Sequence, residues 1–203
     1  MLGIINYGMG NLASVQNALD YLNIPSRIID QPSEVRKCGS IILPGVGAFG
    51  VAIQRIRHSG FFEELHEHAL VRKRPLLGIC LGMQLLLDSS TEHGNHEGLA
   101  LVRGTVESLH DSIKELPIPH VGWNTVTIGT SSLLLSELST EASFYFVHSY
   151  YCRLTERPFV TGRTSYGIEF DAVFEAGNIF GVQFHPEKSQ KSGLSLLKKF
   201  GTF

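Results

Sequence analysis

Pro75-Leu76-Leu77-Gly78-Ile79-Cys80-Leu81-Gly82-Met83-Gln84-Leu85-Leu86-Leu87 reads as a short apolar strand, a tight G-x-C-x-G turn and a second apolar run. This is the cysteine form of the strand–turn–helix nucleophile elbow. Small residues flank Cys80 because the elbow is tight, and Gly78 and Gly82 let strand and helix approach without a Cβ collision. The geometry expected of such a turn places the sulfur at a helix N-terminus, where the macrodipole favours thiolate over thiol.

About a hundred positions later the chain reads His185-Pro186-Glu187. In extended backbone, positions i and i+2 share a face, so the carboxylate can orient the imidazole. Pro186 keeps His185 out of the α region. A cysteine after a buried strand is equally well a small hydrophobe, and one histidine among nine carries little weight. Read jointly, the two motifs supply a thiol, a base and a carboxylate.

The bulk properties narrow the setting. A chain of 203 residues with 43% hydrophobic and 18% charged residues suits a single domain, 1–203, with a sizeable core. A net charge of −2 gives no general attraction to nucleic acid. No apolar stretch approaches membrane-spanning length, and Met1–Ile5 lacks the basic start of a leader. Cys38, Cys80 and Cys152 are odd in number and widely spaced, which points to a reducing compartment, the cytoplasm, rather than a disulfide framework.

In the first half, short apolar runs alternate with helical patterns. Strands are expected over 2–6, 26–29, 40–43 and 75–79, helices over 12–22, through Ile53 and Ile56, and over 61–71, with a turn at 44–47. This alternation predicts an α/β fold with a mostly parallel central sheet flanked by helices. The second half is richer in β-type residues, with strands expected over 101–109, 121–128, 144–152 and 160–165. A hairpin is expected across 176–178, then a closing helix over 194–200. An additional antiparallel portion follows from that.

Gly78-Ile79-Cys80-Leu81-Gly82-Met83-Gln84 together with His185-Pro186-Glu187 resembles the signature of class I, triad-type glutamine amidotransferases. Further stretches are similar to one branch, the glutaminase subunit of imidazole glycerol phosphate synthase. They are Asn6–Asn11, Leu43–Gly47, Pro119–Asn124, Phe144–Tyr150 and Gln183–Ser189. The resemblance runs over nearly the whole chain. Glutaminases of pyridoxal-phosphate synthesis share triad and size but usually carry a Pro-Gly-Gly-Glu-Ser type loop, whereas this chain has Pro44-Gly45-Val46-Gly47.

The resemblance implies hydrolysis of glutamine through a thioester on Cys80, with His185 as base and Glu187 orienting it. No cofactor and no metal are implied. Oxyanion donors are expected from Leu81 and from Val46 or Gly47. Two glycines around Val46 make a peptide flip cheap, so that hole is expected to stay incomplete until a partner ligand biases the loop. Gly45, Gln84, Glu92, Ser149 and Tyr150 are the expected glutamine contacts. For Glu92 a plain solvated charge is the competing reading. Ammonia is expected to pass into a partner cyclase of (β/α)₈-barrel fold, forming a heterodimer that makes imidazole glycerol phosphate and an aminoimidazole carboxamide ribotide in histidine biosynthesis. Asn11, His120, Trp123, Asn124 and Lys188 are the expected partner interface.

Three other readings compete. One is a paralogue supplying ammonia to a sugar-modifying amidotransferase of surface-polysaccharide synthesis, and another is an inactive interaction module, against which the intact triad argues. Metal binding through His66 and His68 or His93 and His96 is weak by spacing; His66 and His68 are expected on an exposed helix face. Cys38 and Cys152 are expected to be structural, the latter at a strand end.

Overall fold

The computed structural model describes residues 1–203. In the first half, β1 (Leu2–Ile5), α1 (Leu12–Tyr21), β2 (Ser26–Ile29), β3 (Ser40–Gly45), α2 (Phe49–Ser59), α3 (Phe61–His66), β4 (Leu76–Cys80) and α4 (Leu81–Leu85) follow in turn. Strands β2, β1, β3 and β4 lie side by side and parallel, as the alternation predicts. Along β3, Ile41 and Leu43 face one layer and Ile42 the other, because side chains alternate across a sheet. One face is covered by α1, through Val15 and Leu19, and the other by α2 and α3, through Phe49, Ile53, Phe61 and Leu65. Sheet strands sandwiched on both faces are apolar almost throughout, and β3 and β4 are buried at every position.

The second half contributes β5 (Ser89–Ser90), β6 (His96–Glu97), β7 (Gly104–Ser108), α5 (Leu109–Ser112), β8 (His120–Ile128), β9 (Glu141–His148), β10 (Tyr150–Leu154), β11 (Val160–Tyr166), β12 (Ile168–Ala176), β13 (Ile179–Val182) and α6 (Gln190–Phe200). Strand β13 inserts parallel beside β4, which brings the end of the chain next to the elbow. Strands β12 and β13 form the expected hairpin, with Ala176 opposite Ile179 and Gly177 at φ +66. Strands β8, β9 and β11 form an antiparallel extension attached through β12. No helix is long and apolar enough to cross a membrane.

Several expectations need correction. The apolar run 144–152 is not one strand: it breaks at Ser149, because β9 pairs with β8 whereas β10 pairs with β7 and β12. The expected strand 101–109 begins only at Gly104, since Leu101 and Val102 donate their N–H groups back to the Leu86 carbonyl. The helix over 61–71 ends in a π turn, Glu67–Val71, which buries His68 with Nε2 against the Pro75 carbonyl at 3.1 Å. His68 is therefore not on an exposed face, and burial lowers its pKa. Cys152 sits mid-strand in β10 rather than at its end, buried, and all three cysteines are free.

Candidate active site

Cys80 is the last residue of β4 and has φ +54 and ψ −112, a conformation that L residues avoid. The turn around it is forced by close packing. A Cβ on Gly82 would lie 1.8 Å from the Leu43 carbonyl oxygen, and one on Gly78 would lie 2.7 Å from the Gly82 backbone. The G-x-C-x-G pattern is thus the cost of bringing β3, β4 and α4 into backbone contact.

His185 follows β13, which lies beside β4. Its Nδ1 is 2.8 Å from Glu187 Oε1, and both side chains are almost wholly buried. The reason for this pairing differs from the extended-strand expectation. His185 itself is extended, at φ −99 and ψ 96, but Pro186–Lys188 form a 3₁₀ turn with proline at its start. The turn folds the carboxylate back under the ring. His185 is further held by its N–H on the Tyr145 carbonyl at 2.9 Å and by Ser189 Oγ on its own carbonyl at 2.6 Å. Burial opposes a charged imidazole, but interaction with the Cys80 sulfur and the Glu187 hydrogen bond outweigh it and lift the His185 pKa to about 10. Nε2 has no hydrogen bond of ordinary geometry, so Glu187 alone orients the ring.

Cys80 and His185 open into a cavity of about 450 Å³. Val46, Gly47, Leu81, Gln84, Glu92, Ser149 and Tyr150 line it. The structure thus brings together every expected pocket residue except one. Gly45 lies buried beneath, opposite Cys80 in the β3–β4 register, where a Cβ would meet the Tyr7 hydroxyl at 2.6 Å and the Gly82 nitrogen at 2.9 Å. The N–H groups of Val46 and Gly47 make no hydrogen bond within the chain, and Gly47 has φ +100. Glu92 is not a free solvated charge: its Oε2 accepts the Phe49 N–H at 2.6 Å. Gln84 Nε2 donates to the Tyr150 carbonyl and to Gln183 Oε1, both at 3.0 Å.

Four contributors went unread in the sequence. Gln183 is fully buried and its Nε2 lies 3.7 Å from Cys80 Sγ. His148 and His110 line the cavity. Tyr7 is buried near Gly45, its hydroxyl unpartnered and its pKa raised by burial and by the nearby Cys80. The only available signal was that Tyr7, His148 and Gln183 lie inside motifs that carried the resemblance.

Of the expected interface residues, Trp123 is 49% exposed and Val121 beside it 55%. Trp123 packs edge-on against Tyr145, and the exposed Lys188 places Nζ 5.8 Å from the Tyr145 ring centre. These three form one patch. Asn11 caps α1, accepting the Ser14 N–H at 3.4 Å. Asn124 is tied inward by hydrogen bonds to His120 and to the Ser165 carbonyl. His120 is a correction: at 3% exposed it lies under the surface, stacked between Phe146 and Tyr166, because alternate residues of β8 point into the core.

A cysteine at a strained strand–helix junction, a buried His–Glu pair beside it and a sheet of this order define a known class. Residues 4–202 match the glutamine amidotransferase class-I family, and the chain belongs to it, as an enzyme of the glutamine amidotransferase type. Within that family it is 48% identical over 200 residues to the imidazole glycerol phosphate synthase subunit HisH of Moorella thermoacetica, covering 98% of this chain and 93% of the relative. It is 46% identical to the protein of the same name from Caldanaerobacter subterraneus subsp. tengcongensis, at 99% and 97% coverage. With that of Chlorobaculum tepidum the identity is 44%, with both chains fully covered. Among solved structures, a glutamine amidotransferase aligns with TM-score 0.76 at 17% identity, covering 98% of each chain. The PurLQS structure from Thermotoga maritima aligns with TM-score 0.74 at 15% identity, covering 98% of this chain and 96% of that one. These last two share the fold.

Proposed function

We propose that this chain is the glutaminase subunit of an imidazole glycerol phosphate synthase and acts in histidine biosynthesis. The observation that carries the reading is the His185–Glu187 pair at 2.8 Å beside Cys80 on the wall of a single-amino-acid-sized cavity. The full-length likeness to HisH subunits supports the pathway over the polysaccharide paralogue.

In this mechanism Cys80 attacks the side-chain carbonyl of glutamine as the thiolate, with His185 protonated beside it. The C–N bond breaks as His185 gives its proton to the departing ammonia. Water, deprotonated by His185, then attacks the thioester, and glutamate leaves with Cys80 restored. Glu187 keeps the ring oriented and stabilises its charge through both steps. The developing oxyanions take the Leu81 N–H and one from Val46 or Gly47. The unengaged amides of that loop support the expectation that a bound partner completes the hole. Glu92 pairs with the glutamine α-ammonium through Oε1, its other oxygen being used by Phe49. The Val121–Trp123–Lys188 patch is the docking face for a (β/α)₈-barrel cyclase, tryptophan being a frequent anchor of interfaces. Ammonia delivered there escapes protonation in water.

The test is glutamate release by the purified chain, with and without the cyclase and its nucleotide ligand. Stimulation that disappears in Cys80→Ala supports the proposal. Activity in Cys80→Ala equal to that of the parent overturns the nucleophile, and Cys80-dependent activity indifferent to the cyclase overturns the histidine-pathway partner.

A further inference from the structure

Two buried imidazoles outside the Cys80–His185–Glu187 group lie on the core side of β8 and β9, one of them, His148, on the cavity wall. His120 and His148 face each other across the β8–β9 ladder. His148 Nδ1 lies 2.8 Å from the Tyr150 carbonyl, and His148 Nε2 lies 2.9 Å from His120 Nδ1. Asn124 Nδ2 is 3.2 Å from His120 Nε2.

The direction of these bonds is fixed by chemistry. A carbonyl only accepts, so His148 Nδ1 carries the hydrogen. Burial holds both rings neutral, their pKa values lowered to about 3 for His148 and about 4 for His120. Nε2 of His148 therefore accepts, His120 Nδ1 donates to it, and His120 Nε2 accepts from the Asn124 amide. The Tyr150 carbonyl receives a second donor, Gln84 Nε2 at 3.0 Å. Gln84 also donates to Gln183, whose amide is 3.7 Å from Cys80 Sγ. The bonds thus run from Asn124, on the core side of β8, to the sulfur. The His120 ring is stacked at 4.1 Å on Tyr166 and 4.9 Å on Phe146, packing that restricts its motion.

A polar chain in a core is costly unless fully satisfied, and these two rings sit among Phe146 and Phe170. Satisfaction at both nitrogens of both rings gives the chain a use that packing alone does not. We propose that His120 and His148 are positioning residues for the glutamine pocket: they fix the Tyr150 carbonyl, and with it the Ser149–Tyr150 wall, and tie that wall to Asn124 on β8, the strand that also carries Trp123. This rests on the reading of the cavity as the glutamine site.

Nitrogen-15 NMR of the Cys80→Ala chain, titrated with glutamine, tests it. Both histidines should show a protonated Nδ1 and bare Nε2. Glutamine should move the Ser149 and Tyr150 amides together with the His148 and His120 ring nitrogens and the Asn124 side-chain amide. Shifts at Ser149 and Tyr150 that leave His120 and Asn124 unmoved overturn the relay while leaving the glutamine site intact. No shift at either wall residue overturns the glutamine site itself. As a second readout, His120→Phe keeps the stack and loses both bonds. Its KM for glutamine should rise about fivefold with kcat within about twofold, the effect of one hydrogen bond acting on binding. An unchanged KM in a folded His120→Phe protein overturns the proposal.

Discussion

Glu92 Oε2 accepts the backbone N–H of Phe49 at 2.6 Å across 43 residues of sequence. Phe49 is the first residue of α2, whose own N-cap, Ala48, offers no side-chain acceptor. One carboxylate thus closes the helix that follows the Val46–Gly47 loop and also lines the cavity. The contact is reinforced nearby, where the His96 ring lies so close to Gly50 that a Cβ there would meet it at 2.6 Å. Glu92→Gln keeps an acceptor for Phe49 but removes the charge. KM for glutamine should rise tenfold or more, on the order of one charge-assisted bond, with little change in melting temperature. Glu92→Ala should add about 1 kcal/mol of destabilisation from the lost cap, read by urea unfolding.

The Cys80–His185–Glu187 group should respond unequally to substitution. Cys80→Ser should lower turnover by a factor on the order of 10⁴ or more. Glu187→Gln leaves the backbone turn in place but cannot stabilise a charged ring, so a loss of about 10³–10⁴ in kcat is expected at nearly unchanged KM. Steady-state kinetics separates these outcomes. A Glu187→Gln enzyme with parental kcat would show that the imidazole needs no orienting group.

The elbow should tolerate no side chain at Gly82. A Cβ there would lie 1.8 Å from one backbone oxygen of β3, and neither backbone can retreat from a buried sheet. Gly82→Ala should destabilise the fold by about 3 kcal/mol or more. A thermal melt within a degree or two of the parent would contradict that packing.

Acid should weaken the fold through the buried imidazoles. His120 and His148 have pKa values lowered by burial from 6.5 to about 4 and about 3. Between those values and 6.5 the unfolded chain binds more protons than the folded one. The pair's contribution is therefore complete well above pH 6.5 and falls with decreasing pH, by about 2.5 kcal/mol per pH unit near pH 5. His185 has the opposite sign. Raised to about 10, it stabilises fully below 6.5 and loses that contribution as the pH climbs toward 10. Urea unfolding across pH 4.5–7 should show the acid slope, and His120→Phe should reduce it.

Local pattern sufficed wherever neighbours in sequence are neighbours in space. The strands Ser26–Ile29 and Leu76–Cys80, the helix Leu12–Tyr21 and the hairpin at Gly177 follow from apolar periodicity and turn residues alone. The elbow was legible for the same reason, since its glycines, cysteine and strand–helix switch fall within five residues. His185 and Glu187 were legible as a pair, although a 3₁₀ turn rather than a strand joins them.

Whatever depended on who pairs with whom stayed closed to sequence reading. Nothing in Phe144–Cys152 marks Ser149 as the point where the chain leaves one ladder for another, because both halves are equally apolar and β-branched or aromatic. Burial of His68 and His120, the Glu92–Phe49 tie and the Gln84–Gln183 bridge each join groups whose meeting is set by sheet order and helix placement. The sequence by itself determined the alternating α/β layers and singled out Cys80, His185 and Glu187 as candidates, because backbone propensity, hydrophobic period and short motifs are local properties. Only the tertiary structure decided which polar side chains are buried and bonded around them, because inserting β13 beside β4 is a long-range pairing that no local pattern encodes.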